Sequence, residues 1–166
     1  MKKSFLVALI LGLMVSASFA GTVNVSGRAG MFSNGSGSSS LMYGVSADYG
    51  ITENVSVRGA VDRTTYNSGG ADVTYMPVSV DLIYHQTFGG MLTPYAGAGL
   101  SYNTLTIGSA SSSTTGYQGE VGVKFSLGGM TAGVEYRVIF PDASKSYSYT
   151  SSSVYIQGGF SQSFKI

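Results

Sequence analysis

Apolar and polar residues alternate with a period of two along most of the chain, the mark of half-buried β-strands. Met76, Val78, Val80, Leu82 and Tyr84 share one face, while Tyr75, Pro77, Ser79, Asp81 and His85 take the other. Tyr117, Val121, Val123, Phe125 and Leu127 oppose Gln118, Glu120, Lys124 and Ser126. Met130, Ala132, Val134, Tyr136, Val138 and Phe140 oppose Thr131, Glu135 and Arg137. Val154, Ile156, Phe160, Phe164 and Ile166 oppose Tyr155, Gln157, Ser161 and Ser163, with Gln162 an exception on the apolar face. The pattern predicts eight strands near residues 21–32, 41–49, 54–64, 73–86, 92–104, 117–127, 130–140 and 153–166. Connections 33–40, 65–72, 105–116 and 141–152 are long and rich in Ser, Gly and Thr; 50–53, 87–91 and 128–129 are short. Long and short alternate strictly, which predicts an all-β, eight-stranded, antiparallel up-and-down barrel with every long connection at one end. Within the long connections, residues 33–40 and 109–116 are low in complexity and nearly uncharged, so mobile caps are expected there.

The polar faces collect Arg28, Asp48, Arg58, Asp62, Asp81, Glu120, Lys124, Glu135 and Arg137. Slipping any strand by one residue would carry its charges to the apolar side, so register is strongly determined. Alternation alone leaves open which face is inside. A soluble barrel hides the apolar face, and a transmembrane barrel hides the polar one. Three features favour the membrane. The polar face also carries small residues, Gly44, Ser46, Gly97, Gly99, Ser101, Gly122 and Gly159, which suit a narrow lumen. Aromatics of the apolar face fall in two belts. Tyr43, Tyr102, Tyr117 and Phe140 lie near the long connections; Tyr49, Tyr84, Phe125 and Phe164 lie near the short turns or the chain end. Two such girdles mark the interfaces of a membrane barrel. The polar-face charges, four basic and five acidic, can also neutralise one another away from water.

Composition agrees. Charged residues make up only 10%, against about 25% in an ordinary soluble domain. Hydrophobic residues at 43% argue against disorder. Residues 1–20 read as a signal peptide: Lys2 and Lys3, an apolar run over 5–15, then Ser18-Phe19-Ala20. The expected domain is therefore a barrel over 21–166. Removing the two lysines takes the formal net charge from +1 to −1, which argues against nucleic-acid binding. The absence of Cys excludes disulfides and thiolate metal sites.

Three segments carry a family resemblance. They are Tyr49-Gly50-Ile51-Thr52-Glu53-Asn54-Val55-Ser56-Val57-Arg58, Thr93-Pro94-Tyr95-Ala96-Gly97-Ala98-Gly99-Leu100-Ser101-Tyr102 and Gly133-Val134-Glu135-Tyr136-Arg137. They resemble the periplasmic turn, a recurrent strand and the penultimate strand of small OmpA-like and OmpX-like outer-membrane barrels. The resemblance implies the cell outer membrane of a Gram-negative-type cell, outer-membrane lipid around the wall, and a last strand read by the barrel-assembly machinery. Phe164 and Ile166 would supply that signal, although the family's usual terminal Phe is Ile here and Ser161 replaces its glycine.

The charged constellation predicts a lumen closed by salt bridges, because eight strands enclose only enough room for side chains. Adjacent strands permit the pairs Arg58 with Asp81, Glu120 with Arg137, and Lys124 with Glu135. The expected role is structural or a cell-surface interaction, with an extracellular ligand at the long loops, no cofactor and no enzymatic activity. A small channel for ions or apolar solutes is the alternative. Lipid-modifying catalysis through His85, the single histidine, and a soluble ligand-binding barrel stand further off. Pro77 lacks an amide donor in the middle of a strand, which predicts a bulge or a strand leaving the membrane band.

Overall fold

The computed structural model describes residues 23–35, 39–127 and 130–160. It contains strands β1 (Val23–Ser33), β2 (Ser39–Gly50), β3 (Val55–Ser68), β4 (Ala71–His85), β5 (Leu92–Ile107), β6 (Ala110–Leu127), β7 (Met130–Phe140) and β8 (Tyr149–Phe160). Each strand pairs antiparallel with its sequence neighbours, and β1 pairs with β8 to close the barrel. Closure leaves no unpaired sheet edge, the condition for backbone crossing hydrocarbon.

The faces separate by charge and size. Val25, Val45, Leu82, Leu100, Val121, Val134 and Ile156 stand outward and exposed. Ser26, Arg28, Asp48, Arg58, Asp62, Asp81, Glu120, Glu135 and Arg137 stand inward and buried. A continuous apolar belt around every strand far exceeds the patches that soluble monomers leave in water. The wall therefore faces lipid, and the polar residues form the core.

Two of the expected long loops are strand instead. β3 and β4 stay paired up to Ser68 and Ala71, and β5 and β6 stay paired up to Ile107 and Ala110. The physical reason is lateral pairing of hydroxyls. Thr65 and Thr74 lie 3.2 Å apart, Thr104 and Ser113 3.2 Å, and Thr106 donates to Ser111 at 3.3 Å. Outside the lipid both faces of a hairpin can be polar, so Ser and Thr continue the ladder without an apolar face. The β3–β4 turn is Gly69-Gly70, with φ of 62° and 84°. Two positive φ values in succession define the tight hairpin turn that matches strand twist, and they favour glycine. The eighth strand begins at Tyr149, four residues before its predicted start, and Ser161, Gln162, Phe164 and Ile166 lie outside the described residues.

Pro77 produces no bulge. Val61 faces Val78 and Thr64 faces Tyr75, so the β3–β4 register is the same on both sides of it. The ladder is interrupted only where Asp62 and Arg63 meet Pro77 and Met76, while Pro77 keeps its partner Asn103 on β5. Above Met76 the outward residues of β4 are Thr74 and Asp72, so the lost donor sits at the upper edge of the apolar band.

Candidate functional site

The lumen is filled in three layers. The layer nearest the short turns holds Ile83, Tyr95 and Tyr155, packed as a small cluster. Each tyrosine lies across a glycine on the neighbouring strand: Tyr95 pairs with Gly122, and Tyr155 with Gly133. A Cβ at either glycine would collide with the tyrosine ring. The missing side chains let both rings lie flat against the wall. The Arg58 guanidinium carbon then stands 5.1 Å from the Tyr95 ring centre, and the Lys124 ammonium 5.4 Å. Cations over aromatic faces are favoured where water is excluded.

The middle layer is ionic. Arg58 grips Asp48 through Nε at 2.6 Å and Nη2 at 3.1 Å, and its Nη1 reaches Glu120 at 2.9 Å and Glu135 at 2.6 Å. Arg137 donates to Glu120 at 2.8 and 3.1 Å, to Glu135 at 2.7 Å and to Asp62 at 3.1 Å. Arg28 holds both oxygens of Asp62 and reaches Glu135 at 3.3 Å. Lys124 donates to Asp48 at 2.9 Å. Tyr95 donates to Glu135 at 2.8 Å, and Gln157 to Asp48 at 3.3 Å. Arg137 is 1% exposed and Glu120 3%, so these charges lie away from bulk water. Planar guanidinium forks serving two or three carboxylates at once suit such a site better than ammonium groups.

Of the pairs that adjacent strands permit, Glu120 with Arg137 forms. Arg58 faces Asp81 in register but its side chain goes to Asp48, its partner on the other side, and across the lumen to Glu120 and Glu135. Asp81 instead accepts from Gln118 at 2.8 and 2.9 Å and from Ser79 at 2.9 Å. Lys124 crosses to Asp48 and not to Glu135, whose oxygens are occupied by Arg28, Arg58, Arg137 and Tyr95. Strand adjacency misleads here because the lumen is narrow. A long side chain reaches the opposite wall as readily as its neighbour.

The third layer is an apolar cap at the long-connection end. Phe32, Met42, Tyr75, Ile139 and Tyr149 form a buried cluster, with Tyr66 and Leu105 packed against it. Tyr75 and Tyr149 meet edge to face at 5.2 Å, Phe32 and Tyr149 at 5.3 Å. Tyr75 donates to Asn103 at 2.6 Å, so its hydroxyl is satisfied inside the cap. Sequence reasoning did not assemble this cap. The signal was present, since Phe32 shares the parity of Arg28, and Ile139 that of Arg137.

Of the aromatics assigned to belts, Tyr43, Tyr84, Tyr102, Tyr117 and Phe125 are outward and exposed. Tyr49 and Phe140 are half-buried on the same face, with Tyr117 stacked on Phe140 at 4.6 Å. Phe164 lies outside the described residues. His85 ends β4 at the short-turn side, half-buried, and its backbone oxygen accepts from Asn54 at 3.0 Å. No metal-binding cluster of His, Asp and Glu occurs among the described residues.

A closed, lipid-facing barrel with a polar core is the architecture of small outer-membrane proteins. The chain belongs to the family described as the outer membrane protein beta-barrel domain, which matches residues 4–160. It is a protein of the outer membrane. Neisserial surface protein A has a similar fold, with TM-score 0.69 and 18% identity over 86% of this chain and 98% of that one. The N-terminal barrel of Pseudomonas aeruginosa OprF follows with TM-score 0.61 and 20% identity, over 84% and 99% of the two chains. Ail, the attachment invasion locus protein of Yersinia pestis, solved with the heparin analogue sucrose octasulfate, gives TM-score 0.56 and 12% identity over 85% and 99%. None of the curated proteins compared with the chain matches it.

Proposed function

We propose that this protein is a closed outer-membrane barrel with a structural or cell-surface role, whose lumen carries no solute. The observation that supports it is the stacking of an aromatic cap on a saturated ionic layer, with Arg137 and Tyr75 both almost fully buried. An ion entering from outside would have to part Phe32, Tyr75 and Tyr149 and then compete with carboxylates already bound to guanidinium groups. The nine inward charged residues act as a lock on the barrel, and the outward aromatics anchor it at the two interfaces, the role the sequence also suggests for Phe164. The signal peptide over 1–20 and reading of the last strand by the assembly machinery belong to the same proposal.

The β3–β4 and β5–β6 hairpins stand beyond the lipid as rigid polar ribbons and present the external surface. Toward that end the charged residues are Arg63, Asp72, Asp142 and Lys145, two of each sign, so a polyanion of the kind bound to Ail finds no basic patch. A neutral or mixed-charge partner suits this surface better. A non-enzymatic role is supported by His85, whose imidazole has neither a hydroxyl nor a carboxylate in hydrogen-bonding reach among the described residues.

Planar-bilayer recording of the refolded barrel tests the closed lumen. The expected trace is flat at all voltages that the bilayer tolerates. Reproducible stepwise conductance would establish the channel alternative.

A further inference from the structure

The outer wall carries a furrow along β1. Its floor is Gly27 and Ala29. Register places Gly27 between Val45 of β2 and Ile156 of β8, and Ala29 between Tyr43 and Val154. Larger side chains therefore stand on both sides of two small ones. The furrow continues past Val61 to Arg63 and Met76 and has a volume of about 910 Å³. No atom lies within 4 Å of where a Cβ on Gly27 would stand, so the space is open.

Arg63 lies in one cross-strand row with Ala29 and Tyr43, on the outward face. Below it β3 presents Val61, Gly59 and Val57; above it come Thr65 and Asn67, so Arg63 marks the upper edge of the apolar band. Its sequence neighbour Asp62 turns inward and is held by Arg28 and Arg137. Asp72, higher on the hairpin, accepts from Asn67 at 3.3 Å. Among the described residues Arg63 has no ion pair. An apolar trough thus ends at an exposed cation with no counter-charge.

We propose that the furrow binds a phosphorylated, multiply acylated glycolipid of the outer leaflet. One acyl chain lies over Gly27 and Ala29, and a phosphate sits on the Arg63 guanidinium beside Tyr43. Guanidinium matches phosphate oxygens in a two-pronged geometry. The leaflet follows from orientation. Long connections of such barrels face outward, and Arg63 lies at that end, so only a headgroup in the outer leaflet meets it.

The test uses the folded barrel in phosphatidylcholine nanodiscs containing bisphosphorylated lipid A, dephosphorylated lipid A or phosphatidylglycerol. Native mass spectrometry reads which lipid stays bound after detergent release. Bisphosphorylated lipid A is expected to be retained in preference to the other two. Arg63→Gln should weaken that retention about tenfold, the scale of one lost charge-assisted contact. Gly27→Leu fills the trough from a Cβ that meets no atom within 4 Å, so it should lose the lipid while the heat-dependent gel mobility stays as in the parent. Equal retention by Arg63→Gln, or equal retention of phosphatidylglycerol and lipid A, would overturn the proposal.

Discussion

Arg137 joins three carboxylates from β3, β6 and β7, and it does so almost without solvent. Removing one partner of a buried ionic cluster leaves uncompensated charge, at a cost of about 3–5 kcal/mol. Arg137→Met should therefore lower stability by that amount in urea-dependent unfolding from lipid vesicles. Adding Glu120→Met to it should cost less than the sum of the two single changes, because the second change removes a charge that the first left with Arg58 as its remaining cation. The tyrosine–glycine pairs follow another rule at the same scale. Gly122 and Gly133 are small because a neighbouring ring occupies their side-chain space, not because the backbone bends there. The first pair was half legible: Gly122 stood out as a small lumen residue, but nothing in the one-dimensional pattern names Tyr95 as its cover.

Strands of 14 to 18 residues in β3 to β6 are longer than the roughly 9–11 needed to cross hydrocarbon at a tilt. The excess forms the two external hairpins. If these ribbons are paired, their amides are slow to exchange. Hydrogen exchange should show Leu105, Ile107, Ala110 and Ser112, the hydrogen-bonded pairs of the β5–β6 ribbon, protected well above the connection around Ser144. Rapid exchange through these hairpin amides would return them to the mobile loops that low complexity suggests. Composition misled because Ser, Thr and Gly are common to flexible loops and to polar hairpins. The distinction lies in whether each residue faces a partner across the ladder, as Thr65 faces Thr74.

At the scale of the molecule, stability comes from closure and from the filled lumen together. The β1–β8 pairing ties the two ends of the described chain, so strands cannot peel away singly. Such a barrel resists cold SDS and unfolds only with heat. Membrane-extracted protein should therefore migrate differently on gels before and after boiling. A soluble periplasmic protein with no mobility shift would invert the assignment of the two faces. The orientation also joins the remaining parts: cap, external hairpins and Arg63 all lie toward the long-connection end.

Strand number and face were determined by the sequence, because period-two alternation permits only the parity that keeps charge from lipid. The inward direction of Arg28, Asp48, Arg58, Asp62, Asp81, Glu120, Lys124, Glu135 and Arg137 follows from the same parity. Which carboxylate each cation chooses was decided only by the tertiary structure. Closing the sheet brings β3 within reach of β6 and β7, so Arg58 meets Glu120 and Glu135 at sequence separations of 62 and 77 residues. The aromatic cap belongs to the same class, since its members come from β1, β2, β4, β7 and β8 and only the closed wall gathers all five. The furrow beside Arg63 needs three strands side by side before two small residues become a trough. Alternation is a property of one strand and is written along the chain; enclosure is a property of the closed wall.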